Sequence, residues 1–326
     1  MITYASVVHQ PGPATSFAYE EMELAPPGPQ EVLVKHHAIG VNFIDTYFRS
    51  GLYPWTGPLP IIPGAEASGE VMEAGSSVSH LQAGDRIAYT VPNGAYCQHR
   101  VIAADRVVKL PDDIPYETAA AIMVKGLTAQ YLLRSTFNVQ SGHTILIHAA
   151  AGGVGLLAGQ WAAHLGATVI GTAGSADKAQ LALQHGYHHV INYREQDFVQ
   201  EVQKITSGQG VEVVYDSVGQ DTYPYSLQCL KRRGMWVCFG QSSGVIEDFD
   251  LRHLVQHGSL FATRPTLFDY IPTYDTLHAA SEQLFDMLLK GHLKVQVGQK
   301  ASLKEVANVH QQLEGRKTVG SSILTT

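Results

Sequence analysis

The sequence predicts an α/β protein of two parts, a partly open β-barrel and a doubly wound parallel sheet of six strands. Three observations carry this expectation. Short strand-like runs broken by Gly/Pro-rich turns fill residues 1–124. From Thr144 to about residue 264, β-branched runs alternate with helical patterns, the rhythm of βα units. At the head of that second stretch the apolar run Thr144-Ile-Leu-Ile147 meets a turn of small residues. A helical apolar rhythm follows at Val154, Leu157, Ala158, Trp161 and Leu165. At 326 residues the chain is long enough for two separate cores.

In order, the first part offers strands at Ala5–His9, Glu31–Ile39, Ser68–Ala74, Arg86–Thr90, Ala95–Ile102 and Arg106–Leu110. Turns such as Pro26-Pro-Gly-Pro29, Gly57-Pro-Leu-Pro60 and Pro63-Gly64 separate them. Gly40 to Gly51 reads as a turn entering a short helix, and Pro111 to Leu133 as a second turn and helix. The second part, 125–264, continues with strands at Thr168–Thr172, His189–Asn192, Val211–Asp216, Met235–Phe239 and Gly258–Ala262. Helical patterns at Ala176–His185, Glu195–Thr206 and Thr222–Leu230 lie between them. The tail, 265–326, holds helices at Thr276–Lys290 and Leu303–Glu314 and strands at Lys294–Gly298 and Ser321–Leu324. These are too few for a third core, so the tail is expected to return to the first domain.

The bulk numbers exclude several classes. A net charge of −7 gives no bulk attraction for nucleic acid, and Lys231-Arg-Arg233 is the one compact basic run. No apolar stretch approaches a membrane span, and Met1 opens into a strand-like segment rather than a signal peptide, so a cytoplasmic protein is expected. Cys97, Cys229 and Cys238 lack C-x-x-C spacing, and the adjacent pairs His36-His37 and His188-His189 point to opposite strand faces. No metal site is therefore expected.

The small-residue turn reads A-x-G-x-x-G across Ala150, Gly152 and Gly155, a dinucleotide-binding (Rossmann) pattern with Ala at its first position. Gly152, Gly153 and Val154 open the helix that would face a pyrophosphate, and Gly155 lets that helix pack closely on the strand. The second strand ends in Ala173-Gly-Ser-Ala-Asp-Lys178, with no carboxylate at the position that accepts a ribose 2′-hydroxyl. A 2′-phosphate would not meet a carboxylate there, and Lys178 can offer it an ammonium, Ser175 a hydroxyl and Tyr193 a phenol. Asp177 would oppose it if it turned inward. Strand ends also nominate Gly174, Ser217 and the run Phe239 to Gly244.

Eight stretches carry a resemblance over nearly the whole chain: Gly40 to Pro54, Pro63-Gly-Ala-Glu-Ala-Ser-Gly69, Lys125-Gly-Leu-Thr128, Ala149 to Gly155, Ile191-Asn-Tyr-Arg194, Val214 to Gly219, Thr263-Arg-Pro265 and Gly315 to Ser321. The chain resembles the zinc-free medium-chain dehydrogenases/reductases, most closely the NADPH:quinone oxidoreductases related to zeta-crystallin. The resemblance implies a GroES-like barrel for residues 1–124, an NADPH-binding Rossmann domain and a homodimer. Asn42 and Ala65 stand where zinc alcohol dehydrogenases carry cysteine and histidine ligands, which argues against a zinc-polarised substrate.

The same resemblance places the nicotinamide in the cleft between domains, near Asn42, Asp45, Thr46, Tyr131, Phe239, Gly240, Ser242, Ser243 and Arg264. It puts Arg316 near the cofactor's far side and has Tyr47 and Tyr53 line a pocket for a flat quinone. Aromatic walls would stack on the acceptor and exclude water. Hydride or electron transfer to a quinone still needs protons, which Tyr47, or solvent through Asn42 and Thr128, would deliver. Two rivals accompany this reading. One is an NADPH-dependent enone or enoyl reductase on the same fold, the other a non-catalytic NADPH- or RNA-binding protein. Pairing across a two-fold axis is expected at the apolar edge strand Gly258–Ala262.

Overall fold

The computed structural model describes residues 1–326, which divide into two compact units. The first comprises 1–127, 270–289 and 295–326; the second comprises 128–269 and 290–294. The helix Met123–Tyr131 carries the chain from one to the other, three residues beyond the boundary read from sequence.

In the first unit, strands β1 (Ile2–Val8) and β2 (Phe17–Glu23) form a hairpin with continuous antiparallel register. A seven-stranded sheet is built from β3 (Glu31–Val41), β4 (Glu66–Ala74), β5 (Arg86–Thr90), β6 (His99–Ala103) and β7 (Val107–Lys109), which precede the second unit in the chain. The tail completes it: β15 (Ser321–Thr325) pairs antiparallel with β3 and parallel with β14 (Val297–Ser302). Its core is a cluster of inward-facing residues that includes Val34, Ile39, Ile87, Tyr89, Tyr96, Val306 and Leu324. Close approach decides composition at Gly69: a Cβ there would lie 2.0 Å from the Lys35 carbonyl oxygen of the neighbouring strand.

In the second unit, β8 (Thr144–Ile147), β9 (Thr168–Ala173), β10 (His189–Asn192), β11 (Val211–Asp216), β12 (Leu230–Cys238) and β13 (Phe261–Thr263) are all parallel. Their order is β10-β9-β8-β11-β12-β13. This is the doubly wound Rossmann order, with its switch point beyond β8 and β11.

Several elements differ from the sequence expectation. The hairpin strand β2 was not anticipated, because Phe17-Ala-Tyr-Glu-Glu-Met-Glu23 is half-exposed and lacks a clean apolar alternation. Residues 91–98 form irregular backbone bridging to β1 rather than the start of a strand. The 222–230 helix shrinks to Tyr225–Gln228, since Leu230 already belongs to β12. The last-but-one strand sits at Val297–Ser302, later than its apolar signal suggested.

Candidate functional site

In the first unit the nominated residues are built on the helix Phe43–Ser50. Its N-cap Asn42 is extended, and the cap is reciprocal. The Asn42 backbone N–H donates to Asp45 Oδ2 at 2.7 Å, satisfying a donor that the helix start would otherwise orphan. Gly51 ends the helix in the left-handed conformation that favours glycine. Asn42, Asp45, Thr46 and Tyr47 are all buried. Thr46 turns its hydroxyl inward, donating to the Phe43 carbonyl. Tyr47 and Tyr53 lie together with ring centroids 5.2 Å apart, and Phe48 meets Tyr53 edge-on, so the two tyrosines do form one aromatic cluster.

Beneath Asn42 lies a group the sequence reading left without a role. Glu66 is fully buried and accepts from Asn42 Nδ2 at 2.9 Å, Lys125 Nζ at 2.7 Å and the Val124 backbone N–H at 2.6 Å. An ammonium and an amide thus occupy this carboxylate, and Ala65 beside it offers only a methyl group. No group of three His, Cys, Asp or Glu residues is placed to hold a metal ion. Gly40 makes the arrangement possible, because a Cβ there would lie 2.2 Å from both Glu66 Oε1 and the Ala120 carbonyl oxygen. Thr128, Gln130 and Tyr131 continue from Lys125 along the same helix, all buried.

In the second unit the nominated residues begin with the turn after β8. Ala149 takes a left-handed φ of 54°, and Gly152 caps a twelve-residue helix, Gly153–His164. Its first-turn N–H groups have no intrahelical acceptors, which makes this end a ready anion site. Gly155 is required on steric grounds: a Cβ would lie 2.4 Å from the Ala149 carbonyl oxygen and 2.7 Å from that of Ala150. At the end of β9, Ser175 caps the next helix, accepting from the Lys178 N–H at 3.3 Å and keeping its own O–H to donate. Tyr193 leans over Gly174, where a Cβ would lie 2.5 Å from its hydroxyl. Gly174, Ser175, Lys178 and Tyr193 are therefore brought together, and Asp177 is exposed in the first helical turn.

Other nominated residues have more constrained surroundings. After β12, Gly240 passes Ser217 so closely that a Cβ would sit 2.7 Å from its carbonyl oxygen. Ser243 donates its hydroxyl to the Val218 carbonyl and accepts from the Asp221 N–H, so that side chain ties two loops. Phe239 and Ser242 are half-buried on the same loop. Arg264 is exposed and donates to the Cys238 carbonyl; Arg316 is exposed in the first unit with a left-handed φ of 56°.

The second unit's turn fits a phosphorylated dinucleotide, with an N–H-rich helix start behind a turn that tolerates no Cβ at Gly155, and in the first unit the buried Asp45 Oδ1 has no hydrogen-bond partner. Residues 28–133 match the family described as the alcohol dehydrogenase GroES-like domain, and 153–263 the family described as zinc-binding dehydrogenase. The chain is 48% identical over 307 residues to a quinone oxidoreductase of Pseudomonas aeruginosa, covering 94% of each. It is 44% identical over 331 aligned positions to a 2-haloacrylate reductase of a Burkholderia species, covering 98% of each. The crystal structure of an Escherichia coli quinone oxidoreductase complexed with NADPH superposes with a TM-score of 0.97 at 48% identity, over 99% of this chain and 100% of that one. With both halves matched, relatives aligned end to end and zinc-ligand positions filled by Asn42 and Ala65, the chain belongs to the zinc-free medium-chain dehydrogenase/reductase family of quinone oxidoreductases.

Proposed function

We propose that this protein is an NADPH:quinone oxidoreductase that works without zinc. The observation that carries the reading is the neutral end of β9, where Gly174, Ser175, Lys178 and Tyr193 gather without an inward carboxylate. A 2′-phosphate needs such a cation with hydroxyl donors, and an Asp or Glu there would select the unphosphorylated cofactor. The first-turn N–H groups of Gly153 and Val154 would hold the pyrophosphate. Asn42, Asp45, Thr46, Thr128, Tyr131, Ser217, Phe239, Gly240, Ser242, Ser243, Arg264 and Arg316 complete the proposed cofactor contacts.

When bound, NADPH supplies the hydride. The protein's own work is orientation and dryness. Tyr47 and Tyr53 hold a planar acceptor by stacking and keep water from it. Reduction to a hydroquinone takes one hydride and one proton, and Tyr47, or solvent through Asn42 and Thr128, delivers the proton. We further propose a cytoplasmic homodimer. Its three cysteines are free and buried, and no helix is long and apolar enough to cross a membrane. Apolar side chains stand exposed at the sheet edge on Phe261 and on the helix Leu251–Gln256, at Leu251 and Val255, where a second copy would cover them.

The 2-haloacrylate reductase relative favours one rival, reduction of an activated C=C bond. The test is anaerobic oxidation of NADPH and NADH by chelator-treated protein with 1,4-benzoquinone, 9,10-phenanthrenequinone and an enone. NADPH-dependent quinone turnover that survives chelation is the expected result. Turnover on the enone alone moves the assignment to the rival, and loss of activity on chelation removes the zinc-free mechanism.

A further inference from the structure

Asp45 is the one fully buried carboxylate in the proposed site with an oxygen left over. Oδ2 accepts from the Asn42 N–H at 2.7 Å and from the Tyr96 hydroxyl at 2.8 Å, whereas Oδ1 is buried and has no partner. A buried oxygen left unpaired has given up its hydration with nothing in return, so it needs an explanation.

The explanation begins on the other side of Tyr96. Its oxygen lies 2.9 Å from His310 Nε2, and His310 Nδ1 lies 3.4 Å from Arg49 Nη1. Arg49 in turn forks onto both oxygens of Glu314 at 2.9 and 2.6 Å. A guanidinium can only donate, so His310 Nδ1 must accept and the imidazole proton sits on Nε2. That N–H donates to the Tyr96 oxygen, which leaves the Tyr96 O–H free to donate to Asp45. The whole chain therefore runs one way, from Glu314-anchored Arg49 to Asp45. Burial keeps its middle members in the states this requires. The His310 pKa is pushed down to about 3, so the ring is neutral, and Tyr96 is held well above 10, so its hydroxyl keeps its proton. Phe17 closes over the His310 ring edge-on, with centroids 4.9 Å apart.

We propose that Tyr96, His310 and Arg49 are positioning residues, a one-directional hydrogen-bond chain that holds Asp45 by Oδ2 and presents Oδ1 as an acceptor to a hydrogen-bond donor of the bound dinucleotide. The inference rests on the NADPH reading above. It adds three residues, from helix Phe43–Ser50, the 91–98 segment and helix Val306–Glu314, to which the sequence assigned no role.

The chain has a consequence for pH. Burial is the largest influence on Asp45 and raises its pKa to about 7; the Asn42 N–H and Tyr96 hydroxyl pull it back. From other elements, the Lys125 ammonium lowers it and the Glu66 carboxylate raises it. Arg49 and His310 reach it only through Tyr96. Protonated, Asp45 loses the charge that makes Oδ1 a strong acceptor, so dinucleotide affinity falls as the pH drops through this range.

The experiment measures the Kd of NADPH by fluorescence from pH 5.5 to 8.5 for the wild type, Tyr96→Phe and Asp45→Asn. It also follows the 13C carboxyl titration of Asp45 in ligand-free wild type and Tyr96→Phe. A carboxylate of pKa about 7 that binds only when ionised weakens affinity about tenfold from pH 8 to pH 6. The cofactor's own phosphate, with a pKa near 6, adds a limb that no variant of Asp45 or Tyr96 moves. Tyr96→Phe deletes one donor to the charged form. It is expected to raise both the affinity midpoint and the carboxyl midpoint by about one pH unit. Asp45→Asn is expected to keep the phosphate limb alone. Midpoints unmoved in Tyr96→Phe, or a wild-type pH dependence in Asp45→Asn, overturn the proposal. Failure of the wild type to bind NADPH at pH 8 sinks the cofactor reading instead, and the ligand-free titration then decides the chain by the same criterion. If Tyr96→Phe does not fold, His310→Leu is read in its place, with a smaller shift in the same direction expected.

Discussion

At the scale of single residues, the site turns on which buried polar atoms are paired and with what. Glu66 and Lys125 are 0% and 6% exposed, so each compensates a charge that would otherwise be stranded. Removing one member, as in Glu66→Gln or Lys125→Met, is expected to destabilise the protein by about 3–5 kcal/mol. The double variant should recover most of that, because the cost comes from the unpaired partner. Urea midpoints of the four proteins check this; additive losses would mean the pair does not interact. Lys178→Ala is expected to weaken NADPH binding about ten- to a hundredfold and to leave NADH binding unchanged, the size of a charge-assisted hydrogen bond. An equal loss for both cofactors would place Lys178 away from the 2′-phosphate. Of these residues Lys178 could be nominated from the sequence alone, by its place after the second strand. Glu66 and Lys125 stood in quoted motifs without a role, because 59 residues separate them and no local pattern pairs them.

Among the elements, the turn from β8 into its helix was the most legible, since its chemistry is local. Small residues at 149–155 are dictated by the approach of strand, turn and helix within seven positions. Gly155→Ala would drive a Cβ into two backbone carbonyls that cannot move aside. A loss of about 2–3 kcal/mol is expected, with cofactor affinity falling alongside it. A denaturant midpoint equal to wild type would show that the turn can relax. The helix Phe43–Ser50 was readable as a turn and short helix, whereas the reciprocal cap of Asn42 and Asp45 that fixes its start is seen in the structure. By contrast, β2 and the strand at 297–302 were misplaced or missed. Their pairing partners, β1 and β15, lie elsewhere in the chain and supply the stabilisation that their own patterns lack.

For the whole molecule, buried histidines and Asp45 give stability opposing dependences on pH. His36, between the Cys97 carbonyl and the Tyr89 hydroxyl, and His310 both have pKa values pushed by burial from 6.5 to about 3. His148 is shifted in the same direction. The unfolded chain takes up protons that these folded rings refuse, so their contribution is full above pH 6.5 and is lost as the pH falls toward 3. Asp45, raised from 3.8 to about 7, works the other way: its contribution is full below pH 3.8 and lost as the pH rises through 7. The histidines outnumber it, so the urea midpoint is expected to rise from pH 4.5 to 6.5 and to rise more steeply in Asp45→Asn. A flat profile, or an unchanged slope in the variant, would contradict these assignments. The sequence by itself determined the doubly wound sheet, the small-residue turn after its first strand and the absence of zinc-ligand side chains, because strand periodicity, small-residue turns and residue identity are local properties. Only the tertiary structure decided that the tail's β14 and β15 complete the first unit's sheet. It alone showed that Glu66 is neutralised by Lys125, and that Tyr96, His310 and Arg49 converge on Asp45. Those pairings join residues far apart in the chain, Ala38 with Thr325 and Tyr96 with His310 among them, and long-range packing rather than any sequence pattern brings them within hydrogen-bond reach.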